Sequence, residues 1–208
     1  MLVSAFVATL VSIAAGGTST AARPHLIAAD TATYRIDVSH SRLVFKIRHF
    51  VSKVEGRFDR WNGSILTDPT DFSKGSVNVS IETASINTNN ESRDRDLRSG
   101  NFFAADSFPA LTFVSTRVEL KGTAIKIFGD LTMRGISKPV ILEGEYLGRQ
   151  GAIGPGERIG FEASTKVNRL DWGLTWNRLA EGGGAMLGDD VTIEMTVAGV
   201  RPRPRPAP

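Results

Sequence analysis

Between residues 31 and 200 the chain alternates apolar and polar positions with a period of two. Leu43, Phe45 and Ile47 share one face against Lys46 and Arg48; Val77, Val79 and Ile81 oppose Asn78, Ser80 and Glu82; Ile159, Phe161 and Ala163 oppose Glu162 and Lys166. The same pattern predicts strands at Leu111–Ser115, Val118–Leu120, Ile125–Met133, Val140–Tyr146 and Ile193–Val197, with an opener at Tyr34–Val38 and short candidates at Val54–Phe58 and Ser64–Thr67. Asn62-Gly63, Lys121-Gly122, Gly135 and Gly154-Pro155-Gly156 supply turn chemistry between them. Strands do not alternate with helices, which disfavours a parallel α/β sheet and leaves an antiparallel sandwich or closed barrel.

One stretch breaks the pattern. From Glu91 to Asp106 charges and a Leu fall at helical spacing, predicting a short helix that ends near Gly100. Phe102 and Phe103 follow on what should be a connection, where two large apolar side chains must cover the end of the core or the mouth of a cavity. Farther on, Asn168–Trp176 holds two Trp, an Arg and an Asp around a Gly. It reads as a barrel corner, with Trp plugging the end, Arg paired with Asp, and Trp172 also lining the interior. Gly182-Gly183-Gly184 lacks the P-loop pattern and is expected to form a flexible loop over the barrel mouth.

The ends are different in kind. Residues 2–17, LVSAFVATLVSIAAGG, are an uncharged apolar run followed by small residues, the core and cleavage region of a secretory signal peptide without its usual basic start. Residues 1–30 are therefore expected to be a signal peptide or disordered segment, 31–200 the barrel, and 201–208, RPRPRPAP, an exposed polyproline-II tail. The formal charge of +3 also lies at the ends. Setting aside Arg23, Asp30, Arg201, Arg203 and Arg205 leaves 21 charges of each sign, so the body offers no phosphate-tracking groove and no nucleic-acid partner is expected. With no Cys, a disulfide scaffold, a thiol nucleophile and a Cys-ligated metal are excluded.

Strand parity places Leu43, Phe45, Ile47, Val79, Ile81, Phe113, Ile127, Leu131, Met133, Leu142, Phe161 and Met195 on the inward side. Almost nothing there ionises. A barrel of about eight strands is either filled by its own side chains or holds one ligand. Small inward residues such as Gly129, Ala163 and Thr165 favour a cavity.

Three groups carry candidate chemistry. Asp37, His40 and Ser41 are the residue types of a hydrolase triad, but neighbours on an extended segment point apart and no Gly-x-Ser-x-Gly elbow exists. A turn built by side-chain to backbone hydrogen bonds is the stronger reading. His40 and His49, nine residues apart without Cys or paired carboxylates, make a weak metal signal, and none is expected. His49 is in phase with Phe45 and Ile47, which suits a polar group facing a ligand head group.

Ordered blocks then form a family pattern: Tyr34-Arg-Ile-Asp37-x-x-His40-Ser41, Phe45 with His49, Gly56-x-Phe58, Leu97-Arg98 with Asn101-Phe102-Phe103, and Phe108-Pro109-x-Leu111-Thr-Phe113-x-Ser115. Gly129-Asp-Leu-Thr-Met-Arg134-Gly135, Lys138-Pro139-Val140, Asn168-Arg169-x-Asp171-x-Gly173 and Gly188-Asp189-x-Val191 continue it. From about residue 34 to 197 the chain resembles the YceI-like family. The resemblance implies an all-β fold, an eight-stranded antiparallel extended lipocalin-like barrel with a short helix in one long connection. It also implies export to the periplasm or secretion, and non-enzymatic binding of an isoprenoid-type lipid, a polyprenyl phosphate or quinone, or a similar amphiphile in a hydrophobic tunnel. No catalytic residue and no cofactor beyond the lipid are implied. The expected tunnel residues are Phe45, Ile47, His49, Phe58, Val79, Ile81, Phe113, Ile127, Leu131, Met133, Leu142 and Phe161, with Phe102, Phe103 and Trp172 near the mouth. Trp172 and Trp176 stand where the family is expected to hold various aromatic or apolar residues, and the pair would narrow the tunnel. A rival reading makes the chain a hydrolase or isomerase acting on an amphiphile through His40 or His49; transient membrane contact and a homodimer stay open.

Overall fold

In the computed structural model, residues 32–68, 71–153, 156–179 and 184–202 are described. The signal-like segment at 1–30, the Gly154-Pro155 turn, Gly182-Gly183 and the tail from residue 203 lie outside them. Eleven strands pair antiparallel throughout: β1 (Ala32–Ile36), β2 (Arg42–His49), β3 (Ser52–Phe58), β4 (Trp61–Asp68), β5 (Asp71–Glu82), β6 (Ile86–Asn87), β7 (Ala110–Lys121), β8 (Ala124–Met133), β9 (Ile136–Ile153), β10 (Gly156–Asn168) and β11 (Leu187–Pro202). One helix, α1 (Glu91–Arg98), interrupts them.

These strands make eight staves. β2 pairs with the first part of β11 (Leu43 opposite Met195) and β1 with its last part (Arg35 opposite Val200), so β1 and β2 are one stave broken by the turn at 37–41. β4 lies on β1 where β3 lies on β2, and β6 lies on β3 where β5 lies on β4, so these two pairs are also broken staves. β7 to β11 follow in chain order, and pairing of β1 with β11 closes the sheet into an eight-stranded antiparallel barrel. Closure removes the free edges that an open sheet of this length would expose.

The alternation expected from the sequence survives, with three adjustments. Asn62-Gly63, expected as a turn, lies inside β4, paired with Ser80 and Val79. Leu111–Ser115 and Val118–Leu120 belong to one strand, β7, whose register against β8 shifts between Ser115 and Arg117. The extra residue of that bulge turns Val118 back to the inside, where Leu111 and Phe113 already lie, all three buried. β11 reaches Pro202, so Arg201 and Pro202, assigned from composition to the tail, pair with Glu157 and Gly156.

Gly129 corrects a further expectation. A small inward residue is expected to leave room for a ligand, yet a Cβ at Gly129 would sit 2.5 Å from Cζ of Phe113. The space belongs to a ring of the wall. Gly56 does the same for Phe45, its cross-strand partner, whose Cζ would lie 2.3 Å from a Cβ.

α1 is capped by Asn90, whose side chain accepts from the Arg93 amide at 3.0 Å. Its sequence offers one apolar residue, Leu97, so polar contacts dock it. Arg98 donates to the carbonyls of Ala84 (2.8 Å) and Ile86 (3.0 Å), and buried Asp94 accepts from the Thr88 amide at 2.9 Å. The helix therefore lies on the barrel end where β6 stops and β7 begins.

Candidate functional site

The barrel encloses a cavity of about 690 Å³, within the range of small-molecule sites. Fourteen of the fifteen residues expected from the sequence line it: Phe45, Ile47, His49, Phe58, Val79, Ile81, Phe102, Phe103, Phe113, Ile127, Leu131, Met133, Leu142 and Phe161. Ala163 and Thr165 line it too. Trp172 does not. It is buried in the wall, where its indole Nε1 donates to the Leu131 carbonyl at 3.0 Å, beside the stretch of β9 that precedes its pairing with β10. Trp176 takes the place at the cavity.

Polarity is segregated along the cavity. Among the described residues, those of its lining that can ionise are His49, Arg93, Asp96 and Arg169, and all four lie at one end. That end is roofed by the two long connections, one carrying α1 and residues 99–109, the other residues 169–179 and 184–186. The lining between is aliphatic and aromatic apart from a few hydroxyls such as Thr165. Toward the opposite end Phe72, Tyr146 and Phe161 cluster, with Phe72 and Tyr146 centroids 4.7 Å apart and Tyr146 and Phe161 5.2 Å apart. Burial raises the Tyr146 pKa.

The mouth is held by fixed hydrogen bonds. Arg169, 3% exposed, donates to the carbonyls of Gly188 (2.9 Å), Leu174 and Trp176 (3.0 Å), and pairs with Asp189 at 3.1 Å. The Arg–Asp pair expected at this corner thus forms, but its acid is Asp189 and Asp171 is exposed. Burial lowers the Arg169 pKa, and the nearby Asp189 opposes that shift. From the other connection, Phe102 and Phe103 both reach the cavity, and Phe103 meets Phe58 edge-on at 6.0 Å. Arg134 donates to the carbonyls of Phe102 and Gly100, fastening that loop to the β8–β9 hairpin.

The group at 37–41 is a turn. His40 Nδ1 faces Asp37 at 2.9 Å and Ser39 Oγ at 3.0 Å through the same ring nitrogen, so no proton path runs from a serine through both nitrogens to the acid. Ser41 donates to the Asp37 carbonyl at 2.7 Å and accepts from the Ala198 amide at 2.9 Å, tying the stave break to β11. The Asp37 pKa is lowered to about 2, chiefly by the Ser39 hydroxyl, with help from His40 and Arg158. None of Asp37, His40 and Ser41 lines the cavity. His49 does, packed edge-on against Phe50 at 4.8 Å, and no carboxylate orients its ring among the described residues.

Several lining residues escape sequence reading. Trp61, Ile65 and Thr67 follow the same period of two and were within reach of it, once the short candidate at Ser64–Thr67 is extended backwards. Leu97, Arg93, Asp96 and Trp176 carry no such signal, because loops and a helix deliver them.

A sequence profile of the YceI-like domain matches residues 34–198. The chain belongs to the YceI-like family. It is 38% identical over 163 residues to a UPF0312 protein of Staphylococcus aureus strain MSSA476, covering 77% of this chain and 93% of that one. Among solved structures it is similar to a variant of the Campylobacter jejuni YceI protein, with 30% identity, TM-score 0.66, and 80% and 96% of the two chains covered. BcnA of Burkholderia cenocepacia shares the fold at 20% identity, TM-score 0.69, with 78% and 98% covered. So does a polyisoprenoid binding domain from Saccharophagus degradans, at 15% identity, TM-score 0.60, with 82% and 99% covered. In this YceI-like barrel Trp176 stands at the cavity and Trp172 is buried against the Leu131 carbonyl.

Proposed function

We propose that this YceI-like protein binds, stores or transports an isoprenoid-type lipid, a polyprenyl phosphate, an isoprenoid quinone or a similar long amphiphile, without catalysis. The observation that carries the reading is the segregated cavity: a long apolar interior with its ionisable groups at one end matches a molecule with a long apolar tail and one polar head. The polyisoprenoid binding domain of the same fold from Saccharophagus degradans supports the same class of cargo.

The energetics suit it. A prenyl chain of about twenty carbons contributes roughly 16 kcal/mol on burial, at about 0.8 kcal/mol per carbon. Association and ordering take back an estimated ~4–15 kcal/mol, so affinity depends on how preformed the site is. The fixed wall and the Arg169-braced mouth lower that cost. The head would meet His49, Arg93 and Arg169, and the tail would run toward Phe72 and Phe161. The lipid is the only bound group proposed. The signal-like run at 2–17 supports export to the periplasm or secretion.

Native mass spectrometry of the purified protein, followed by organic extraction and lipid mass spectrometry, tests the reading. A stoichiometric prenyl-type lipid is expected. A protein that emerges empty and takes up neither added quinone nor polyprenyl phosphate overturns it.

A further inference from the structure

The hairpin joining β2 to β3 has a two-residue tip, Phe50 and Val51, between the paired residues His49 and Ser52. Such tips normally carry Gly, Asn or Asp, because at least one residue must take a positive φ. Here Phe50 does so, at φ 53. A bulky side chain in that conformation is costly, and its edge-on contact with His49 still leaves Phe50 41% exposed, while Val51 is fully exposed. Folding alone would favour a polar residue or glycine at both places.

The tip stands at the cavity mouth. Its neighbour His49 lines the cavity, and the Phe50 amide donates to the carbonyl of Met186, another lining residue, at 2.8 Å. Met186 in turn donates to the Arg178 carbonyl at 2.8 Å, and Leu179 beside it is 79% exposed. Two apolar projections therefore rise together from one side of the opening.

Cations flank them. Arg48 and Lys53 lie directly opposite each other across the hairpin, both exposed. Like charges in that register repel. Neither has an acidic partner among the described residues; Arg48 donates to the Phe50 carbonyl at 3.2 Å, and nearby Glu55 pairs with Arg42. Arg178 adds a third exposed positive charge.

We propose that this rim is a docking surface for an anionic phospholipid bilayer: Phe50, Val51 and Leu179 enter the interface while Arg48, Lys53 and Arg178 meet the head groups. Apolar tips with a cationic collar are the composition such an interface selects. Its purpose, passing an insoluble cargo between bilayer and cavity, rests on the lipid-carrier reading above. The docking itself does not.

Co-flotation with vesicles of mixed phosphatidylglycerol and phosphatidylcholine, against phosphatidylcholine alone, tests it on the full chain. Binding is expected only to the anionic vesicles, with on the order of a fivefold loss per cation removed in Arg48→Gln and Lys53→Gln. Phe50→Gly is the decisive variant. It relieves the positive φ, so its Tm should hold or rise while vesicle binding falls several-fold, whereas a purely structural Phe50 would cost Tm. Equal binding to neutral and anionic vesicles, or unchanged binding in both Phe50→Gly and Val51→Ser, overturns the proposal. Lipid extraction of the same preparations separates the two readings. Cargo without flotation defeats docking alone; flotation by a protein that holds and accepts no cargo upholds docking and defeats the carrier reading.

Discussion

Phe102 and Trp176 meet at the cavity mouth with ring centroids 5.1 Å apart and planes at 50°. They come from different long connections, 74 residues apart in sequence, and their contact joins the two halves of the roof. An aromatic pair of this kind is worth about 0.5–1.5 kcal/mol beyond the area it buries. Trp176→Ala is therefore expected to speed release of a bound fluorescent prenyl lipid several-fold in stopped-flow measurements. Thermal stability should change little, since the staves beneath are untouched. Unaltered release would remove Trp176 from the gate.

Filling the cavity separates a ligand site from a core. Ala163 lines it and is buried. Ala163→Phe is expected to abolish lipid co-purification while Tm is kept or raised, because the new ring occupies space otherwise left for cargo. A fall of several degrees would mean overpacking of an already filled barrel. Phe161→Asp should also lose the lipid, and circular dichroism must then still report a β-rich fold, since a buried charge can unfold a packed interior.

Arg169 braces the mouth through three carbonyls and Asp189. Arg169→Met leaves the three carbonyls without that donor while the half-exposed Asp189 turns to water, a loss of about 1–3 kcal/mol for each carbonyl that stays buried and unsatisfied. For a chain of this size that is a Tm drop on the order of 10 °C. Hydrogen exchange should accelerate across residues 174–179 and 184–188 before it does in the staves. A uniform increase over the whole barrel would show that Arg169 supports the fold and not the mouth in particular.

Acid should weaken the join between the first staves. Asp37 has a pKa of about 2 when folded, against 3.8 ordinarily. A carboxyl depressed in this way stabilises the fold above 3.8 and loses that contribution as pH falls through about 2. Asp37→Asn should accordingly melt below the parent protein at neutral pH, and the gap in Tm should close as pH falls through that window. A gap independent of pH would assign the effect to the changed hydrogen bonds alone.

Local alternation told most of the barrel. Inward positions such as Phe113, Ile127, Leu131 and Phe161 follow from a period of two, because neighbouring residues on a strand must face opposite ways whatever the partner strands are. The helix at Glu91–Arg98 was legible for the same reason, its spacing being local. The broken staves were not. Whether Tyr34–Val38 and Leu43–Ile47 belong to one stave is decided by the distant residues Val200 and Met195 on β11.

The mouth shows the limit most clearly. Trp172 and Trp176 are four residues apart with the same chemistry, and nothing in their spacing tells which reaches the cavity. The 3-10 turn at Arg169–Trp172 turns the first toward the Leu131 carbonyl, and the bonds from Arg169 to Leu174 and Trp176 carry the second over the opening. By itself the sequence determined the alternating strands, their inward faces, the short helix and the family to which they belong, since each depends on residues close together in the chain. Tertiary structure decided that the sheet closes, that Gly129 serves Phe113 and not a ligand, and that His49, Arg93, Asp96 and Arg169 converge on one end of an apolar cavity. These depend on contacts between different strands and connections, from Phe113 beside Gly129 on the next strand to β1 beside β11 at the far end of the chain, which no alternation within one strand encodes.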